Sequence, residues 1–128
     1  MVTSQKRDNM NVHIPQELTN LVSQALDSPR DGSALALAVR QTLDAFATQH
    51  PGRSVEVRVP PYRVVQVIGG STHKRGTPPA VVEMAPLVWL ELVSGNSDWQ
   101  SLLEEGQIFA SGVGSDLSEF FGAQASQS

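Results

Sequence analysis

The segment from Pro86 to Val93 constrains this chain most, because its pattern is helical and nearly every residue in it is apolar. Glu91 is the one residue of a type that is normally exposed. A helix that is hydrophobic almost all round needs apolar neighbours on more than one side. The domain's own core, a protein partner or a bound apolar ligand would each supply them, and composition leaves all three open. Gly95 is suited to end this helix.

The size and charge of the chain exclude several classes of function. Its 128 residues fit one domain, and it contains no cysteine, so disulfides, thiolate metal sites and a cysteine nucleophile are excluded. Thirteen acidic against nine basic residues give a net charge of -4, which disfavours nucleic-acid binding. Met1–Val12 has no apolar core of a secretory signal, and no stretch approaches the length of a membrane span. We therefore expect a cytoplasmic protein without a transmembrane segment.

Two helices are predicted in the first half of the chain. Apolar residues recur at helical spacing over Pro15–Leu26, which predicts a short amphipathic helix, and a loop follows it to residue 32. Ser33 is suited to open a longer helix over Ala34–Gln49, which His50-Pro51-Gly52 would end.

Four segments have the pattern of strands. Val55–Val59 alternates apolar and polar residues, whereas Tyr62–Ile68 is apolar on both faces and is predicted as a central strand. The intervening Pro60-Pro61 lacks two N–H donors, so we expect a kink or an edge feature there and not a tight hairpin. Ala80–Met84 and Gln107–Ser111 complete the set.

Two short helical segments are predicted near the C-terminus. Ser97 with Gln100 three residues later forms a capping-box pattern that would open a helix ending at Gly106. A last helical turn would carry Leu117, Phe120 and Phe121.

Catalytic and metal-binding patterns are weak throughout the sequence. His13, His50 and His73 fall in separate segments without metal-ligand spacing, so no metal site is expected. Gly112-Val113-Gly114 lacks the third glycine of a dinucleotide loop. Glu104 and Glu105 are adjacent and point apart on a helix. We therefore predict no enzymatic activity, no catalytic residue and no cofactor.

The loop Thr72–Thr77 carries a short basic group, His73-Lys74-Arg75. A solvated loop is the simpler interpretation. The functional alternative is that His73 and Arg75 contact an anionic head group, since such side chains bind carboxylate or phosphate.

Several short motifs resemble the sterol carrier protein type 2 family. Pro79–Met84 is similar to its short strand, Trp89–Gly95 to its helix with a Leu-x-x-Gly turn, and Gly106–Gly112 to its Gly-x-Ile-x-x-x-Gly strand. Pro51–Pro61 and Arg75–Pro79 resemble the bacterial sterol-carrier-like branch in particular. The resemblance covers residues 33–122.

The resemblance implies an α+β fold, with a mostly antiparallel sheet of about five strands and helices on one face. It also implies an apolar tunnel between the layers. Relatives bind fatty acids, acyl thioesters or sterols and transfer them, and the fold also serves as an accessory domain in enzymes.

On this basis we predict non-enzymatic binding or transfer of a lipid or another apolar or amphiphilic small molecule. The predicted ligand-binding residues are Trp89, Leu90, Val93, Phe109, Leu117, Phe120 and Phe121, with His73 and Arg75 at the head group. The closing segment Leu117–Gly122 is shorter than the C-terminal helix of the animal carriers. An accessory or protein-interaction module without an open cavity is therefore the alternative, and a homodimer or a protein partner remains open.

The expected organisation is a flexible N-terminus over residues 1–14 and the amphipathic helix with its loop over residues 15–32. The sterol-carrier-like domain would span residues 33–122, followed by a disordered tail over residues 123–128.

Overall fold

The computed structural model describes residues 14–70 and 79–121, and within them four α-helices and four strands. The elements in chain order are α1 Gln16–Asp27, α2 Gly32–Gln49, β1 Val55–Val59, β2 Arg63–Val67, β3 Ala80–Met84, α3 Pro86–Ser94, α4 Trp99–Glu104 and β4 Ile108–Ser111. A 3-10 turn over Ser118–Phe120 follows β4. The predicted α+β class is confirmed. None of the helices in the described ranges has the length and apolarity that a bilayer crossing requires.

The four strands form one mixed sheet in the order β2-β1-β3-β4. β1 pairs antiparallel with β2 and β3 with β4, whereas the central pair β1 and β3 is parallel. Two of the three strand pairs are antiparallel, so the prediction of a mostly antiparallel sheet of about five strands is slightly off: the described residues form a mixed sheet of four strands. The parallel pair was not predicted; it arises because β3 starts at the same end of the sheet where β2 ends, and pairs with the other side of β1.

The prediction of a central position for the second strand is wrong. β2 lies at the edge of the sheet, because β3 pairs with the other side of β1. Only one face of β2 is covered, and Val64 on its other face is 54% exposed.

The link between β1 and β2 is a tight hairpin, contrary to the prediction. Val59 pairs with Arg63 across it, and the backbone N–H of Tyr62 donates to the carbonyl of Val59 at 3.0 Å. Pro60 and Pro61 occupy the turn itself, where the missing N–H groups are not needed by the strand ladder.

The helix ends agree with the predicted segments, but two caps differ by one or two residues. α2 begins at Gly32, because the side chain of Asp31 accepts hydrogen bonds from the N–H groups of Ser33 and Ala34. α4 is capped by Asp98, which accepts from the N–H of Ser101 at 2.8 Å, and not by Ser97. These carboxylates satisfy N–H groups that lack partners within the helix.

Gly95 ends α3 as predicted. Its φ of 85° is left-handed, a conformation that glycine adopts without strain, and its N–H donates to the carbonyl of Leu92.

The two faces of the sheet differ sharply in burial. On the inner face, α2 packs over β2 and against α3, and alternate strand residues such as Val57 and Val82 are fully buried. The outer face is solvent-accessible. We call it the open face; its residues, in two rows across the strands, are Val64, Arg58, Glu83 and Phe109, and Gln66, Glu56, Val81 and Ser111. The core thus lies between the sheet and the helices.

Candidate functional site

The underside of α3 is anchored by a buried hydrogen bond. Trp89 is fully buried, and its Nε1 donates to Oγ1 of Thr42 on α2 at 2.8 Å. The Thr42 hydroxyl in turn donates to the carbonyl of Ala38 at 2.7 Å. Because the donor of the indole and that of the hydroxyl are both used, neither side chain has a free donor for a ligand.

Aromatic rings fill the layer around Trp89. The ring centroid of Phe46 on α2 lies 5.9 Å from that of Trp89, 5.8 Å from Phe120 and 5.5 Å from Phe121. Trp99 stacks on Phe121 at 6.2 Å with an interplanar angle of 6°. Rings at these separations pack directly on one another. Protein side chains therefore occupy the space where these five rings meet.

His50 closes this cluster at the end of α2. Its ring lies 4.6 Å from that of Phe120 and 5.2 Å from that of Phe46. Partial burial among apolar rings lowers the pKa of the imidazole, and the carboxylate of Glu119 partly opposes this by favouring the charged form. The remaining acid–base groups do not converge: in the described part of the chain, no three His, Asp or Glu side chains come together as metal ligands would.

The structure distributes the predicted ligand-binding residues over three regions. Trp89, Leu90, Leu117, Phe120 and Phe121 belong to the core or pack against it. Phe109 lies on the open face, on the other side of the sheet, and is 60% exposed. Val93 is half-buried and faces a groove described below. His73 and Arg75 lie outside the described residues. A ligand contact at any of these positions stays a prediction.

A groove lies on the outer side of α3, between α3 and α1, with a volume of about 280 Å³. Its apolar lining consists of Ile14, Val22, Leu26 and Val93, and its polar lining of Thr19, Ser23, Ser94 and Asn96. Val22 is buried and forms the floor, whereas the four polar side chains are exposed and form the rim. The groove thus has an apolar interior and an uncharged polar mouth.

Helical spacing on α1 places the apolar and the polar residues that line the groove in two separate rows. Val22 and Leu26 are four residues apart and form an apolar row, and Thr19 and Ser23 form a polar row beside it. Side chains four apart on a helix are neighbours on its surface. The sequence contained this signal, but no ligand-binding residue was predicted on α1, because periodicity identifies a buried face and not the element that packs opposite it.

A second cleft lies at one end of the sheet, beside Gly70 and Pro79. It has a volume of about 490 Å³. Its lining is Gly52, Arg53, Ser54, Gln66, Gly69, Gly70 and Pro79. Gly70 and Pro79 are the described residues on either side of the loop that carries His73 and Arg75. Arg53 is the one cation among the lining residues in the described ranges.

A family model described as "bacterial SCP ortholog" matches residues 31–122 of the chain. The chain belongs to this family. No curated protein matches it significantly. The predicted sterol-carrier-like resemblance is therefore confirmed at the level of the family.

The range matched by the family model begins at Asp31 and leaves α1 outside it. The groove consequently has one wall, α3, within the family match and one wall, α1, beyond it.

Proposed function

We propose that this member of the family binds an apolar or amphiphilic small molecule without catalysing its conversion, as a carrier or binding protein. Membership of the family supports a lipid-binding carrier role. The observation that carries the proposal is the groove between α1 and α3, which joins an apolar floor to a polar, uncharged rim. Small-molecule sites are commonly concave and mostly apolar, with a few placed polar groups.

The groove is better suited to bind a ligand than the layer beneath α3 is. Under α3 the hydrogen bond between Trp89 and Thr42 and the rings around Phe46 occupy the interior. The groove side chains, in contrast, line an open concave surface, so a ligand enters without displacing core residues. The nearly all-apolar composition of α3 then has two explanations at once, since one side packs on the core and Val93 on another side lines the groove.

The test is a calorimetric screen of the full chain against fatty alcohols, fatty acids, acyl thioesters and sterols. We expect binding of at least one class, and its loss in Ser23→Trp, which fills the groove from the exposed rim. Asn20→Trp is the matched control, because Asn20 is exposed on the same helix but does not line the groove. Absence of binding to every class contradicts the proposal. Equal binding by both variants contradicts the groove as its site.

The second candidate is a protein-interaction module, and the open face of the sheet favours it. Val64 and Phe109 stand at the two ends of one row, 54% and 60% exposed. Between them Arg58 Nη1 lies 3.8 Å from Glu83 Oε1. The row therefore reads apolar, basic, acidic, apolar across the four strands.

Such a row is complementary to a second copy of itself. A two-fold axis parallel to the strands, above the middle of the row, would place Arg58 opposite the second copy's Glu83 and Val64 opposite its Phe109. The strand spacings give this face an area of roughly 300 Å². A standard interface buries about 800 Å² per partner, so we expect a weak homodimer.

Sedimentation equilibrium over a wide range of protein concentration tests this second candidate. We expect a concentration-dependent dimer that Phe109→Ser weakens. Val113→Ser is the control, because Val113 is fully exposed but lies in the turn after β4 and not on the open face. A strict monomer at every concentration contradicts the dimer.

A further inference from the structure

The groove between α1 and α3 has no charged residue among the described side chains that line it. Its polar groups are the hydroxyls of Thr19, Ser23 and Ser94 and the amide of Asn96. Ser94 already donates its hydroxyl to the carbonyl of Glu91 at 3.0 Å, and Thr19 donates to that of Pro15 at 3.4 Å. A ligand carboxylate or phosphate in this groove would therefore find no cation to pair with among the described lining residues.

The C-terminal ends of α1 and α3 both adjoin the groove and add negative potential there, whereas the N-terminal end of α1 adjoins it at Ile14. Leu26 lies in the last turn of α1, and Val93 and Ser94 in the last turn of α3. Neither last turn contains a basic residue. The C-terminus of a helix carries a partial negative charge, which cations stabilise and anions do not.

Two acidic side chains on the same helix ends carry negative charge, the same sign as the partial charge of the helix C-termini. Asp27 is the last residue of α1. Glu91, on α3, accepts a hydrogen bond at Oε1 from the hydroxyl of Ser97 at 3.2 Å. The C-terminal ends of both helices therefore disfavour an anion beside Leu26, Val93 and Ser94, and no side chain among the described lining residues is a cation that would offset this.

We infer that the groove selects an uncharged amphiphile, a short aliphatic chain that carries a hydroxyl or an amide, over the fatty acid of the same chain length. The inference rests on the proposed function and narrows its ligand class. The chain would lie on Val22, Leu26 and Val93, and the head group would exchange hydrogen bonds with the rim.

The volume of the groove limits the length of the chain. Sites for drug-sized ligands range over about 300–1,000 Å³, and this groove, at about 280 Å³, lies just below that range. One short chain fits, and a sterol or a long acyl chain does not fit as a whole.

The experiment compares octan-1-ol with sodium octanoate at pH 7.5, titrated into the full-length protein with the methyl NMR signals of Val22, Leu26 and Val93 as reporters. We expect octan-1-ol to shift these signals and octanoate to bind at least tenfold more weakly. Octanamide, the neutral compound of matched shape, is expected to behave like the alcohol.

A charge-introducing variant makes the comparison stricter. Ser94→Lys places a cation at the exposed end of α3, where the helix end favours it. We expect this variant to bind octanoate at least tenfold more tightly than the wild type. Gln41→Lys adds the same charge at an exposed site on α2 that does not line the groove, and we expect it to leave the preference unchanged.

The outcomes separate the two proposals. If octanoate shifts the groove signals as strongly as octan-1-ol, or if Ser94→Lys does not alter the preference, the selectivity for a neutral head group is overturned while ligand binding stands. If neither compound shifts the groove signals, while the sterol or acyl-thioester arm of the earlier screen binds elsewhere, the groove inference fails and the carrier function survives. If nothing binds in either experiment, both fail.

Discussion

The indole N–H of Trp89 donates to the hydroxyl of Thr42 at 2.8 Å, which joins α3 to α2 inside the core. Thr42 is the one buried polar residue among the described side chains. The hydroxyl is held in place by its own bond to the carbonyl of Ala38. A single polar contact thus fixes the position of two helices whose other contacts are mostly apolar.

Replacing Thr42 with valine keeps the shape of the side chain and leaves the Trp89 N–H buried without an acceptor. An unsatisfied buried donor costs about 1–3 kcal/mol, so we expect the free energy of unfolding to fall by that amount. Urea denaturation followed by tryptophan fluorescence measures it.

Thr48→Val is the matched control for this substitution. The Thr48 hydroxyl also donates to a backbone carbonyl four residues earlier, that of Asp44, but at an exposed site where water replaces it. A loss of stability in Thr42→Val no larger than in Thr48→Val would contradict the role assigned to the buried bond.

Phe46 is expected to be the most sensitive aromatic position. It is fully buried and contacts four other rings. Truncating a buried phenylalanine to alanine costs about 3–5 kcal/mol, so Phe46→Ala should unfold at much lower denaturant concentration or fail to fold by circular dichroism.

Phe109→Ala provides the comparison, since Phe109 is 60% exposed on the open face. Surface substitutions usually stay within about 0.5 kcal/mol of the wild type. Similar losses of stability in the two variants would show that the ring cluster is not the centre of the core.

His50 should make stability depend on pH below neutrality. Burial lowers its pKa in the folded protein below the ordinary value of 6.5, so the unfolded chain binds the proton more tightly. The free energy of unfolding is therefore expected to be constant above that value and to decrease as the pH falls from 6.5 through the folded-state pKa. Denaturant unfolding at a series of pH values measures this profile.

Two variants isolate the contribution of His50 to the pH profile. His50→Gln removes the titrating group, so this part of the pH dependence should disappear. Glu119→Gln removes the carboxylate that raises the pKa of His50, so the decrease should extend to lower pH. A pH profile of His50→Gln that superimposes on the wild-type profile would refute the assignment.

Gly112→Ala should destabilise the protein more than Gly114→Ala. Both glycines have left-handed φ values, 94° and 90°, so alanine is strained at either by about 1–2 kcal/mol. A Cβ on Gly112 would lie 3.0 Å from the Cα of Ala80 on β3, whereas nothing lies within 4 Å of one on Gly114. The difference in stability between the two variants, measured by thermal or urea unfolding, reports the close approach of Gly112 to β3. Equal losses of stability would exclude this close approach.

The sequence predicted the helices and the strands well where local pattern decides them. α1 and α2 follow from apolar spacing, and the end of α3 follows from Gly95, whose left-handed conformation favours glycine. The caps were less predictable, because Asp31 lies two residues before Ser33 and Asp98 one residue after Ser97, and serine and aspartate have nearly equal capping preference.

Features that depend on distant parts of the chain were not predictable from local pattern. The edge position of β2 is set by the pairing of β3 with β1, and Val64 gives no local sign that it will be exposed. The same limit applies to the candidate site. Val93 was predicted as a ligand-binding residue, but its partner wall, Val22 and Leu26, depends on how α1 docks.

α1 lies outside the part of the chain that the family model matches, whereas the other helices and the sheet lie within it. The sheet, the Trp89–Thr42 bond and the aromatic cluster all lie in the matched part, residues 31–122. α1 supplies one groove wall from twelve residues and packs on α2 and α3. Substitutions at the exposed Thr19 or Ser23 can therefore change the size and polarity of the groove while the core stays the same. The lining of the groove is thus open to variation at little risk to the fold.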